Sequence, residues 1–477
     1  MKMKQLCLFF ALAVLPLSPH AQAQAIKLKV SDNKRFIITD KGKPFVWLGD
    51  TAWELFHRLN REEATEYLTT RAKQGFTVIQ AVVLAELDGL RVPNPYGEIP
   101  LHDFSPEKPN EKYFEHVDFI VNKAEELGLV IGMLPTWGDK LYSLFPGAGP
   151  VVFNRKNAAV FGEFLGKRYE HKPIVWILGG DRNVDSLEVL EIWRAMALGL
   201  RKGDKGKHLI SFHPRGEASS SYALHNEDWL DFNMYQSGHA FRYNKVYQYA
   251  TNDYLLRPTK PFVDGEPAYE DLAVRFWADW DWKDALDENG IVKDRSYFKR
   301  GFFTAHDVRV HAYWDFLSGA CGYTYGNNAV WQMFKKGSKP IIACLTDWRE
   351  ALDRPGANDM QHVRKLVEVR PLSKIIPDQS LVYGLNKNDS THIRAAVASD
   401  NSFALAYLSV GQSITVVMKK IADKNIVAWW YDPRKGTSSK IGEFTNAGLQ
   451  TFTPPSSGEG NDWVLILDSA SKKYPKP

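Results

Sequence analysis

Glu266 and Asp181 stand at the carboxyl ends of two short apolar runs of similar design. One run passes from Pro261-Phe262-Val263 into Asp264-Gly265-Glu266-Pro267. The other passes from Ile174-Val175-Trp176-Ile177-Leu178 into Gly179-Gly180-Asp181-Arg182. Glycine and proline around each acid restrict how the backbone presents it. Two carboxyls presented this way suit acid-assisted cleavage of an acetal. One protonates the leaving oxygen, and the other attacks, or guides water, from the opposite face. Either acid alone reads as an ion pair or a helix cap. Together they read as acid/base (Asp181) and nucleophile (Glu266). Asp264, which alternation puts on the same face as Glu266, is a rival nucleophile, and Glu270 and Asp50 are further rivals. Asp50 suits a hydrogen-bond acceptor for sugar hydroxyls, with Trp53 close behind it.

Eight short apolar runs separated by amphipathic stretches supply the frame. The runs are 44–49, 76–83, 129–134, 174–178, 209–212, 232–235, 261–263 and 321–325. Val117, Ile120, Val121, Ala124 and Leu127 recur at helical spacing, and Gly128 stops that helix. Asn60 followed by Glu63 supplies an N-cap for the preceding helical unit. Eight strand-then-helix units predict an α/β fold, a (β/α)8 TIM barrel over residues 24–370.

Such barrels carry their chemistry on the loops after the strands. The residues there are one-sidedly polar or aromatic. Strand one leads to Asp50 and Trp53, strand three to Trp137, and strand four to Asp181, Arg182 and Asn183. Strand five leads to His213, strand six to Tyr235, Gln236 and His239, strand seven to Glu266, and strand eight to Tyr325. The second tier, His213, Tyr235, Gln236 and His239, is expected to orient Glu266 or bind hydroxyls, and Trp137 and Tyr325 to wall the cavity. Loops 86–94 and 276–289 bear on pocket shape, and the second, rich in Trp and Asp, is expected to help form the rim or else to be a solvated excursion. Past residue 370 the runs 381–385, 392–398, 403–410, 413–418, 427–431 and 463–467 are strand-like, predicting a small β-sandwich over 371–477.

Composition narrows the function classes. Lys2 and Lys4, the apolar stretch Leu6 to Leu17 and Ala21-Gln22-Ala23 read as a secretory signal over 1–23. Its removal takes the formal charge from +4 to +2, no basin for nucleic acid. The mature chain is expected to be secreted or periplasmic, with no membrane anchorage. Cys7 leaves with the signal, and Cys321 and Cys344, in apolar sequence, are expected as two buried free thiols. The chain's 15 Trp and 20 Tyr offer stacking faces for sugar rings. No zinc-binding His-Glu-x-x-His, phosphate-binding glycine loop or Gly-x-Ser-x-Gly elbow occurs, so neither metal nor other cofactor is expected.

Trp47-Leu48-Gly49-Asp50-Thr51-Ala52-Trp53, the run Val175 to Asn183 and the run Asp264 to Glu270 together resemble the apiosidase-like catalytic domain of glycoside hydrolase family 140. The tail, with Ala428-Trp429-Trp430-Tyr431-Asp432-Pro433, is similar to a domain known as collagen-binding. The resemblance implies a barrel and a β-apiosidase activity on the pectin rhamnogalacturonan II. It also implies Asp181 as acid/base and Glu266 as nucleophile. Nothing in the tail itself suggests triple-helix recognition. The expected partner is a plant cell-wall polysaccharide or oligosaccharide. A hydrolase of another plant furanoside or pentoside, or a non-catalytic carbohydrate-binding or adhesion protein, are the alternatives. A retaining enzyme needs carboxyls about 5–5.5 Å apart and an inverting one about 6.5–9.5 Å.

Overall fold

The computed structural model describes residues 26–144, 148–279 and 281–477. The segment read as a signal, residues 1–23, lies outside them. Each of the eight apolar runs becomes a strand: Trp47–Thr51, Val78–Leu84, Val130–Thr136, Ile174–Gly179, Ile210–His213, Asn233–Gln236, Phe262–Asp264 and Gly322–Tyr325. They pair in parallel from the fifth strand back to the first, then through the eighth, seventh and sixth. Between the fifth and sixth the ring closes without a ladder. There the amide of Asp231 donates to Ile210 O at 2.9 Å, and Ser211 Oγ donates to Phe232 O at 2.8 Å. Ala218–Ser219 adds a short antiparallel pairing on Asn233–Gln236.

Helices cover the outside of this barrel. The helix Arg61–Lys73 starts in the capping box of Asn60 and Glu63, and Glu111–Glu126 ends just before Gly128, whose φ is +74°. The strands are buried on both faces and therefore read as continuous apolar runs. A hairpin of Leu28–Val30 and Ile37–Thr39 adds Phe36 and Ile37 to the core around Trp47 and Phe232. Cys321 and Cys344 are both buried and free.

The chain's last part is antiparallel. A six-stranded sheet, with Ile393–Ala398, Phe403–Leu408 and Trp463–Ser469 at its centre, faces a two-stranded sheet of Ile414–Val417 and Leu449–Phe452. Leu405 and Ile466 belong to the barrel's core, whereas Ala406 and Leu465 belong to the sandwich's own. The contact with the barrel is extensive. Tyr313 stacks on Tyr407 at 4.7 Å, Tyr247 stacks on His392 at 3.9 Å, and Arg309 forks onto Asp462 at 2.8 and 3.0 Å. Among the described residues no helix is long and apolar enough to cross a membrane.

Candidate active site

The fourth strand ends in a sharp reversal. Gly179, Gly180 and Asp181 all have positive φ, at 90°, 99° and 53°. A Cβ on Gly179 would lie 2.2 Å from His213 O, and one on Gly180 would lie 2.9 Å from the Trp137 ring. Only glycine fits such an approach, and aspartate is among the few residues that tolerate the left-handed region next to it. The seventh strand ends as tightly. Gly265 donates to Tyr235 O at 2.8 Å and accepts from Gln80 Nε2 at 2.7 Å, which aims Glu266 inward.

Both acids line one cavity of about 730 Å³, walled by Trp53, Trp137, Tyr269 and Trp331. Their surroundings differ. Glu266 is 6 % exposed, and its Oε1 accepts from Tyr269 Oη at 2.6 Å and from His239 Nε2 at 3.1 Å. His213 Nε2 stands 2.8 Å from Oε2. Burial alone would raise the Glu266 pKa, but the hydrogen bonds and charges of His213 and His239 overcome it and lower it to about 2. Asp181 has a 39 % exposed side chain that looks into the cavity rather than into open solvent. Desolvation within those walls, then the charge of Glu266, raise its pKa to about 6. Glu266 is held ionised while Asp181 keeps its proton up to a pH of about 6, the division of labour that nucleophile and acid/base require.

Of the other residues expected here, Trp53, Trp137, Arg182, Asn183, Gln236 and His239 line the same cavity. Gln236 Oε1 is buried without a partner, and Arg182 holds Asp181 O at 2.8 Å. His213 lies beneath the surface, fully buried, with Trp53 and Trp137 against its ring.

Asp50, Tyr235 and Tyr325 require correction. Asp50 is fully buried, and its Oδ2 takes Arg71 Nε at 2.7 Å and Tyr67 Oη at 2.5 Å. Strand one runs to Thr51, so alternation turns Asp50 outward onto the helix Arg61–Lys73 instead of into the cavity. Tyr235 likewise points away, donating to Asp315 on the helix Ala305–Phe316 at 2.6 Å, while its neighbour Gln236 faces in. Tyr325 donates to buried Glu270 at 2.6 Å. The rivals for nucleophile are also occupied elsewhere. Asp264 accepts from Ser237 Oγ at 2.5 Å and from the amide of Glu266 at 3.3 Å, so it supports the turn.

Residues 31–374 match the family described as "Apiosidase-like, catalytic domain". The chain belongs to that family. This apiosidase-like protein is a glycoside hydrolase, as its structural relatives also indicate. A solved structure titled "Glycoside hydrolase" superposes with a TM-score of 0.82 at 32% identity, covering 94% of this chain and 98% of the other. A structure described as a glycoside hydrolase family 5 protein from Bacteroides vulgatus gives a TM-score of 0.80 at 31% identity, covering 94% of each chain. Residues 376–468 match "Putative collagen-binding domain of a collagenase". No curated protein matches the chain.

Sequence reasoning missed Tyr269, Trp331, Arg215 and Glu86 in the hydrolase cavity. Tyr269 sits three residues after Glu266 in the same motif, and that spacing was the available signal. Arg215, exposed on the rim, and Glu86, in the loop after strand two, carried none.

Proposed function

We propose that this hydrolase is a retaining β-apiosidase acting on apiose linkages in pectin, with Asp181 as acid/base and Glu266 as nucleophile. The observation that supports the pair is the opposite displacement of two acids sharing one cavity, Glu266 down to about 2 and Asp181 up to about 6. The apiose assignment leans on the family match and on the three motifs at the ends of strands one, four and seven.

The chemistry follows from these charges. Protonated Asp181 donates to the glycosidic oxygen as Glu266 attacks the anomeric carbon, giving a glycosyl ester and a free alcohol. Esterification removes the Glu266 charge, and with it part of what raised the Asp181 pKa. Asp181 then serves as base, taking a proton from the water that cleaves the ester. His213, His239 and Tyr269 stabilise Glu266 as the leaving carboxylate in that second step.

Incubating the protein without its signal segment with rhamnogalacturonan II fragments and other pectic oligosaccharides, then identifying the released sugar, tests the reading. Apiose as the sole product is expected. Release of another pentose would replace the substrate, and binding without any release would favour a non-catalytic carbohydrate-binding protein.

A further inference from the structure

Glu86 is a third acid of the cavity, and neither member of the catalytic pair explains it. It follows strand two on a loop fixed at both ends. Lys140, itself fully buried and paired with Asp139 at 2.8 Å, donates to Leu87 O at 3.2 Å. His57, with Glu54 at 2.7 Å on one ring nitrogen, donates from Nε2 to Val92 O at 2.9 Å. Between these clamps Leu87 adopts φ +56°, a left-handed conformation that a γ-branched residue takes only under constraint. Such a loop is built to hold a side chain in place rather than to connect two elements.

The carboxyl it presents has no hydrogen-bond or ion-pair partner among the described residues. The charges around it are of its own sign: Glu54, Asp139, Asp181 and Glu266. Lys140, which clamps the loop, is spent on Asp139 and Leu87 O. In a cavity that takes a sugar, the sugar's hydroxyl groups can both donate to and accept from such an acid.

We propose that Glu86 contacts the bound sugar as a neutral acid, its O–H donating to one hydroxyl oxygen and its carbonyl oxygen accepting from another, and so determines which sugar the cavity takes. Desolvation first, and then the four neighbouring carboxylates, hold its pKa well above the ordinary value for glutamate, which keeps the proton in place. A neutral acid at this point also adds no further negative charge to the pair at work beside it. The inference rests on the glycosidase reading of the cavity but not on which sugar occupies it.

Glu86→Gln, which keeps one donor and one acceptor, and Glu86→Ala, which keeps neither, separate contact from scaffolding. They are compared on pectic oligosaccharides and on a panel of 4-nitrophenyl pentosides and furanosides, with calorimetric binding of pentose-derived iminosugars as a second readout. The expected result is a loss of about 10- to 100-fold in kcat/KM for Glu86→Ala, a matching loss of iminosugar affinity, and largely preserved values for Glu86→Gln. The loss should vanish on the deoxy glycoside lacking the contacted hydroxyl, which a merely structural effect would not produce. Glu86→Ala within threefold of wild type on every glycoside cleaved and every iminosugar bound overturns the proposal. Asp181→Ala and Glu266→Gln run on the same panel report on the catalytic pair separately. Wild-type protein that neither binds nor cleaves any member overturns both readings.

Discussion

His213 Nε2 lies 2.8 Å from Glu266 Oε2, while Nδ1 of the same ring accepts from the amide of Asp181 at 3.3 Å. With Nδ1 accepting, the ring turns an N–H on Nε2 toward Glu266. One buried side chain thus couples the positions of both acids, and replacing it has a specific consequence. In His213→Asn the Glu266 pKa rises from about 2, because a principal stabiliser of its charge is gone. The acid limb of kcat/KM moves to higher pH, and the plateau falls about 10- to 100-fold, the worth of a hydrogen bond to a charged group. A pH–rate profile checks this. Lower thermal stability with an unmoved acid limb would reduce His213 to a packing residue.

Asp181 sets the alkaline limb. Its pKa is raised to about 6, so the protonated acid needed for leaving-group departure is present below that pH and lost above it. The value of kcat/KM should therefore fall about tenfold per pH unit above about 6, with Glu266 ionised throughout. Burial is the larger cause of the shift and the Glu266 charge the second. Carboxyl NMR of Glu266→Gln should accordingly show Asp181 titrating lower than in wild type, yet still above an ordinary aspartate. An unchanged titration would mean that the two charges do not interact.

Asp50 belongs to stability rather than to turnover. Asp50→Ala leaves the Arg71 guanidinium, fully buried, without its carboxylate. Removing one partner of a buried pair costs roughly 3–5 kcal/mol. Denaturant unfolding should show that loss, with kcat/KM near normal at a temperature where the variant stays folded. A large drop in kcat/KM with unchanged stability would return Asp50 to the substrate.

The contrast between Asp50 and Asp181 shows what the sequence could disclose. Buried parallel strands are apolar throughout, so all eight stood out, as did the Gly-Gly-Asp and Asp-Gly-Glu reversals that aim the two acids. Which face a residue takes depends on the last paired residue, and ending strand one two residues early misdirected Asp50. Tyr235 and Tyr325 failed for a related reason. An aromatic near a strand end serves the helix layer as readily as the cavity, and alternation without a fixed register does not choose between them.

The sandwich shows the same limit. Thr437–Thr445 was missed because this outer strand is largely solvated and polar, so no apolar alternation marks it. The expected strand 381–385 is a short helical turn, Gln379–Leu381, followed by a single bridge from Val382 to Val416, with Tyr383 and Leu385 exposed. Glu86 was hidden for a different reason. Its loop is held by Lys140 and His57, residues from other segments whose convergence leaves no local trace.

The central claim is that Asp181 and Glu266 act on one acetal carbon, and the most direct measurement is apiose release from rhamnogalacturonan II fragments by wild type, Asp181→Ala and Glu266→Gln. The variants are first matched for fold by circular dichroism and thermal unfolding. Loss of activity by about 10³-fold or more in both folded variants is the predicted result. Hydrolysis within tenfold of wild type by either folded variant would contradict it.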